Sequence, residues 1–199
     1  MSAAEIADLP IFPLGTVLFP GGVLPLKVFE ARYMDMARTC LKSSSPFGVC
    51  LIKEGAEVGA PAVPHALGCL ARIVECDMKQ LGVLNLVTRG GERFRLEETR
   101  IQSDGLVRAR VTLLADEPAL AVAQEHTACA DLMRALLPKL PAEFLPPPHD
   151  FEDARWLSFR LAEVLPIPPL ARQKLLEIED AQTRLTILRR FLEQQGLKA

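Results

Sequence analysis

The chain has 199 residues, 49% of them apolar, with a formal net charge of −2 and a pI near 6.0. That is long enough to bury a core without disulfide or metal staples, and too apolar for a disordered chain. The regional net charges are −1 over 1–70, +2 over 71–110, −5 over 111–169 and +2 over 170–199. No segment carries the basic excess expected of a nucleic-acid binder. The five cysteines, an odd number without a CxxC pair, read as reduced thiols in a reducing compartment.

In chain order, residues 1–10 carry Glu5 and Asp8 and no basic apolar leader, so no signal peptide is expected. No apolar run reaches the length of a membrane span, and the reading is a cytoplasmic protein without a membrane partner. Leu9–Leu14 is apolar but holds Pro10 and Pro13, which predicts an edge or irregular strand. Phe19-Pro20-Gly21-Gly22 is a turn signal. Lys27–Leu41 has helical spacing, with Phe29, Tyr33, Met36 or Ala37, and Cys40 on one face and Ser43-Ser44-Ser45-Pro46 at its end.

Phe47–Ile52 reads as a buried strand. Further strands are expected at Gly68–Val74, Gly82–Val87 and Arg93–Glu97, with Gly90-Gly91 as a hairpin break between the last two. Leu106–Leu113 alternates, with Val107, Ala109, Val111 and Leu113 on one face and Arg108, Arg110 and Thr112 on the other. After Asp116 the period turns helical. Helices are expected from Pro118 to Leu137, from a cap at Asp150 to about Leu165, from Leu170 to Ile178, and after a cap at Asp180. Ala181, Leu185, Leu188 and Leu192 form the apolar stripe of the last. The fold class is therefore α+β, a strand-rich part over 1–115 and a helical part over 116–199.

Leu9–Leu14, Val17–Gly21, Leu24-Pro25-Leu26 and Phe29-Glu30-Ala31-Arg32-Tyr33 resemble the opening of the Lon N-terminal domain, and of stand-alone bacterial members of that family in particular. Phe47-Gly48-Val49, Gly68–Ile73, and Gly90 followed by Arg93-Phe94-Arg95-Leu96 agree in order. So do Leu161-Ala162-Glu163, Leu165-Pro166, Lys174–Glu177, Asp180 and Arg184-Leu185 in the helical tail. The resemblance implies a PUA-like β-pseudobarrel followed by an α-helical bundle. It implies a non-catalytic module that recognises unfolded or client polypeptides, with proteolytic machinery as a further partner class. No GxxxxGK[ST] phosphate loop occurs within these residues, and the family's Ser-Lys peptidase dyad belongs to other domains.

The residues suggest little chemistry beyond binding. His65, His126 and His149 are scattered and form no HxxxH, so no metal and no cofactor are expected. Cys40, Cys50 and Cys69 sit on apolar faces and read as small buried hydrophobes, while Cys76 and Cys129 carry no signature. Ser43–Ser45 reads as a helix-ending loop, and no GxSxG elbow exists. The acidic pairs Asp116/Glu117 and Asp150/Asp153 read as helix caps.

Arg72, Arg93, Arg95, Arg108 and Arg110 are expected on solvent-facing sides of strands, interspersed with carboxylates. An RNA-binding PUA-like domain is thus the alternative function, although one Trp and one Tyr offer few stacking platforms. Phe29, Glu30, Arg32 and Tyr33 are the candidate binding residues, since aromatic and arginine side chains favour interface hot spots. The competing reading makes Phe29 and Tyr33 core anchors, with Glu30 and Arg32 fixing the helix entry.

Overall fold

A ring of strands closes on itself because the first strand finds two partners. In this computed structural model, which describes residues 4–196, β1 (Glu5–Leu14) pairs antiparallel with β7 (Val107–Leu113) and parallel with β3 (Phe47–Glu54). Residues 1–3, part of the stretch read above for a leader, and 197–199 lie outside the described residues. From β7 the sheet continues through β6 (Val83–Ile101) and β5 (Leu67–Gln80) back to β3. The short β4 (Val63–Pro64) adds to β3, and β2 (Val23–Val28) pairs with the first part of β6. This is a pseudobarrel with one extended wing, formed by β2, β6 and the end of β5.

The strand at Leu9–Leu14, expected to be an edge or irregular one, changes partner midway and follows a register shift between Ile6 and Leu9. Its pairing with β7 ends at Ile11, where its pairing with β3 begins. Pro10 and Pro13 each lie in a stretch bonded on one side only, which tolerates a nitrogen without hydrogen. The alternation of β7 appears as read, with Val107, Ala109 and Val111 buried.

The expected hairpin at Gly90-Gly91 is absent, since β6 runs through both glycines without a break. The pair serves a chain crossing instead. A Cβ on Gly90 would lie 2.0 Å from the Phe19 carbonyl oxygen. Gly21 N donates to Gly90 O at 2.9 Å and Gly90 N to Gly22 O at 2.8 Å. The actual hairpin joins β5 to β6 around Leu81 and Gly82, the latter with φ +82°.

Leu9, Ile11, Cys50, Leu70, Phe94 and Val111 fill the barrel interior. Gly48 and Gly68 leave room for the Phe94 ring, because a Cβ on either would come within 2.7 Å of it. The opposite face of the sheet packs on α1 (Ala31–Ser43) through Phe12, Tyr33, Met36, Ala37, Phe47 and Leu86. The helix starts four residues later than its spacing suggested, since Lys27 and Val28 belong to β2.

The chain divides into two compact units, Met1–Asp116 and Glu117–Ala199. The second holds α2 (Thr127–Leu136), α3 (Ala154–Val164), α4 (Pro169–Glu177) and α5 (Ala181–Gln194). The helix expected from Pro118 is shorter than its composition allows. Residues 120–122 are held extended against 152–154, with Val122 N donating to Glu152 O and Ala154 N to Leu120 O. Asp153 rather than Asp150 caps α3, accepting from Arg155 N at 2.9 Å. Asp180 caps α5 as expected, accepting from Thr183 N at 2.7 Å, and all four stripe residues of α5 are buried.

Glu117 is not a cap. It is buried and forms a two-pronged pair with fully buried Arg184, at 2.7 and 2.6 Å. Arg184 also donates to Ser158 Oγ and Ile178 O, and lies 3.9 Å from the Phe159 ring centroid.

Candidate functional site

The entrance to α1 gathers the four residues singled out in the sequence, and it assigns them different tasks. Glu30 occupies the N-cap with extended backbone and makes no side-chain cap. Its carboxylate turns instead to Arg32, accepting at 2.8 Å, while its carbonyl accepts from Tyr33 N and Met34 N. Arg32 is only 7% exposed. Its guanidinium donates to Gly59 O at 2.7 Å and to Gly105 O at 3.1 Å, tying two loops to the start of the helix.

Tyr33 is 3% exposed and stacks on Phe12, with centroids 3.9 Å apart and planes 15° apart. Arg32 lies 4.7 Å from the Tyr33 ring centroid. Burial pushes the Tyr33 phenol up, against the pull of Arg32, so it stays protonated. Phe29 alone of the four is strongly exposed, at 53%.

Phe29, Glu30 and Tyr33, but not Arg32, line a groove of about 320 Å³. Phe12 and Tyr33 line it beside Leu24, Leu26 and Val28 of β2. Glu57 and Val58, from the loop that Arg32 grips at Gly59, complete it. Glu57 accepts from Gly15 N, which fixes the loop from its other side. Val58 is exposed, as is Phe29, so two apolar side chains stand at the groove in contact with water.

Sequence reasoning missed Val58, Leu24 and Leu26. The alternation of Leu24, Leu26 and Val28 around Pro25 and Lys27 was a usable strand signal. Val58 carried none, being a single large apolar residue in a loop of glycine, alanine and proline.

A second groove, of about 810 Å³, lies along the wing and is lined by Pro25, Lys27, Glu75, Asp77, Asn85 and Val87 among others. Beyond it, Leu81 at the hairpin tip is 95% exposed.

The chemistry elsewhere is structural in character. Among the described residues, no group of three or more His, Cys, Asp or Glu side chains could hold a metal ion. Cys40, Cys50, Cys69 and Cys129 are buried and Cys76 is exposed. Burial raises the Cys40 and Cys50 thiols, and brings Cys129 up to about 11, which disfavours thiolates. Ser43 and Ser45 bond to one another as α1 ends, and Ser44 adopts the left-handed conformation there.

Of the strand arginines, Arg93 is buried rather than solvent-facing; it alternates with the inward Phe94 and lies on the side of its register partner Cys69, the face of the sheet that packs on α1. Arg108 and Arg100 converge on Asp8 at 2.8 and 2.9 Å, and the Arg108 hydrogen bond does most to hold that carboxyl below its usual range. Arg110 pairs with Glu98 at 3.0 Å. No helix among the described residues is long and apolar enough to cross a membrane.

Comparison with known proteins places this architecture. Residues 8–194 match the family model of the ATP-dependent protease La (LON) substrate-binding domain. A solved Lon N-terminal domain protein from Xanthomonas campestris is 37% identical, with a TM-score of 0.78, covering 92% of this chain and 97% of its own. The N-terminal domain of a Mycobacterium avium complex Lon protease shares the fold at 18% identity, with a TM-score of 0.67 and coverage of 94% and 98%. Among curated relatives, the Lon protease of Paraburkholderia phytofirmans is 29% identical over 195 residues, and that of Cytophaga hutchinsonii 26% over 195. These matches take in 92% and 93% of this chain, which spans only about a quarter (24%) of either relative's length. The pseudobarrel, the helical unit and the match across nearly the whole chain make it a member of the Lon substrate-binding domain family.

Proposed function

We propose that this protein is a polypeptide-binding module that acts in the cytoplasm on unfolded or client chains, with the groove at the start of α1 as its contact surface. The observation that carries the reading is the groove itself. It is a cleft of mixed lining, more apolar than polar, with the stacked Phe12 and Tyr33 in its wall, Lys27 and Glu57 among its polar groups, and Phe29 and Val58 exposed beside it. Exposed aromatic and aliphatic groups at a preformed cleft gain by covering with another chain's apolar side chains. Arg32 and Tyr33 act as positioning residues, and Phe29 as the contact. Of the polar groups lining it, Glu30 is engaged by Arg32 and Glu57 by Gly15 N, and Tyr33 is a neutral phenol. That arrangement suits adhesion rather than proton transfer.

The alternative, RNA binding, draws less support, because the Arg100, Arg108 and Arg110 side chains are committed to Asp8 and Glu98. Presentation of bound clients to a protease follows from the family's name for this domain and is part of the same proposal.

The test is a fluorescence-anisotropy titration with labelled, reduced and carboxymethylated α-lactalbumin, a permanently unfolded chain. Binding is expected, and Phe29→Ala is expected to weaken it about five- to tenfold. Absence of binding, or a Phe29→Ala variant that binds as the parent does, would refute the assignment.

A further inference from the structure

We propose that the outer edge of β2 takes up an extended segment of a client chain as an added strand, choosing segments that alternate apolar and polar residues. This rests on the polypeptide-binding reading and specifies its geometry. Among the described residues, β2 pairs with β6 on one side and with no strand on the other. Its further bond is Thr88 Oγ1 donating to Leu24 O, and Pro25 and Lys27 are exposed. A row of unpaired backbone groups is matched best by another extended backbone.

The two faces of β2 explain the alternation. By register, Leu24 pairs with Thr88, Leu26 with Leu86 and Val28 with Leu84, so these residues face the α1 side of the sheet and line the groove at the start of α1. Pro25 pairs with Val87, which pairs with Glu75. Lys27 pairs with Asn85, which pairs with Asp77. That opposite face lines the second groove, whose walls carry Glu75, Asp77, Lys27 and Lys79.

Side chains of an added strand would point alternately to the two faces. One set would lie beside the groove at α1, with Phe29 and Val58, and the other beside charged groups. Such a pattern belongs to strands half-buried in folded proteins, which are exposed when those proteins unfold.

The free edge of β5 along residues 72–80 is a poorer competitor. Arg72, Glu75, Asp77 and Lys79 stud it, and its pairing with β6 is interrupted by register shifts. On β2, Pro25 and Lys27 provide a milder guard. Proline removes one donor but keeps its carbonyl acceptor, which limits permanent sheet growth while leaving part of a ladder to use.

The experiment uses the full chain and a synthetic peptide about ten residues long, alternating leucine or valine with serine and lysine. Two derivatives carry N-methyl groups on alternate amides, one on each set. The derivative methylated on the set facing β2 is expected to lose affinity about tenfold or more, and the other to bind as the parent does. Amide exchange within 23–28 is expected to slow on binding. A peptide of the same composition with apolar residues at helical spacing should bind more weakly than the alternating one.

If the alternating peptide binds but both methylated forms bind equally well, the strand-addition idea is overturned while groove binding survives. If neither the peptide nor unfolded α-lactalbumin binds, both fall. A concentration-dependent dimer that protects 23–28 without peptide would assign the edge to a second copy of this chain and overturn the proposal.

Discussion

Replacing Glu117 by alanine would leave the Arg184 guanidinium, which is 0% exposed, without its countercharge. Arg184 makes two bonds to the Glu117 carboxylate, with others to Ser158 Oγ at 3.1 Å and Ile178 O at 2.7 Å. Water entering the space left by the side chain would restore hydrogen bonds but not the countercharge. Removing one member of such a pair costs about 3–5 kcal/mol, a large part of the roughly 5–15 kcal/mol that holds a domain folded. Replacing both together, Glu117→Leu with Arg184→Met, removes the charge problem and leaves two polar groups without a donor, at a cost of about 1–2 kcal/mol. The double variant is therefore expected to be more stable than Glu117→Ala. The chain's single tryptophan, Trp156, lies on α3 in the same unit, so urea denaturation followed by its fluorescence reads this event directly. A Glu117→Ala cost below about 1 kcal/mol, or a double variant no better than the single, would refute the reasoning.

Gly90→Ala places a methyl against the Phe19 carbonyl, a backbone atom, and is expected to cost about 3 kcal/mol or more, read as a lowered Tm in near-UV circular dichroism at the single tyrosine, Tyr33. Arg32→Lys cannot reach Gly59 O and Gly105 O together with Glu30; the 55–60 loop amides are expected to exchange faster, and stability to fall about 1–3 kcal/mol by thermal melting. Glu163 gives a pH signature. Burial brings its carboxyl up to about 7 from an ordinary 4.5, against the pull of Arg160 and Arg172. The unfolded chain ionises this group more readily than the folded one, so the stability it contributes is full below pH 4.5 and is lost as pH rises through 7. A decline of up to about 3 kcal/mol between pH 4.5 and 7.5 is expected in urea denaturation followed at Trp156, and Glu163→Gln should flatten that slope.

Where a pattern depends on neighbours in the chain, the sequence was readable. The alternation at Val107–Leu113, the stripe of α5 and the Asp180 cap depend on local period and hydrogen bonding, and all appear where read. Features decided by distant partners were not readable. Gly90-Gly91 looks like a turn because glycine serves turns and close approaches alike, and only the crossing at Phe19 tells them apart. Glu117 looked like a helix-start acid because its partner Arg184 lies on the last helix. The Pro118 helix was lost to an extended pairing with 152–154. At the site, Phe29 to Tyr33 was legible as a cluster, but not which side chains face solvent. Helical spacing put Phe29 on the apolar face of a helix that in fact begins at Ala31.

The closed barrel bears on how a client would be held. The wing strand β6 continues into the barrel, where its later part pairs with both β5 and β7. The groove and the β2 edge are thus carried on an element anchored beyond them, and the loop bearing Val58 is pinned by Arg32 and by Gly15. A preformed surface of this kind needs little reorganisation, so the ordering cost of binding falls on the client. A six-residue strand such as β2 offers too few backbone bonds to hold one segment tightly against that cost. On the proposed reading, single segments would bind weakly, and a chain presenting several would gain at this one edge only through more chances to rebind. Such binding would let the protein discriminate unfolded chains, in which alternating segments are exposed, from folded ones, in which the same segments are already paired.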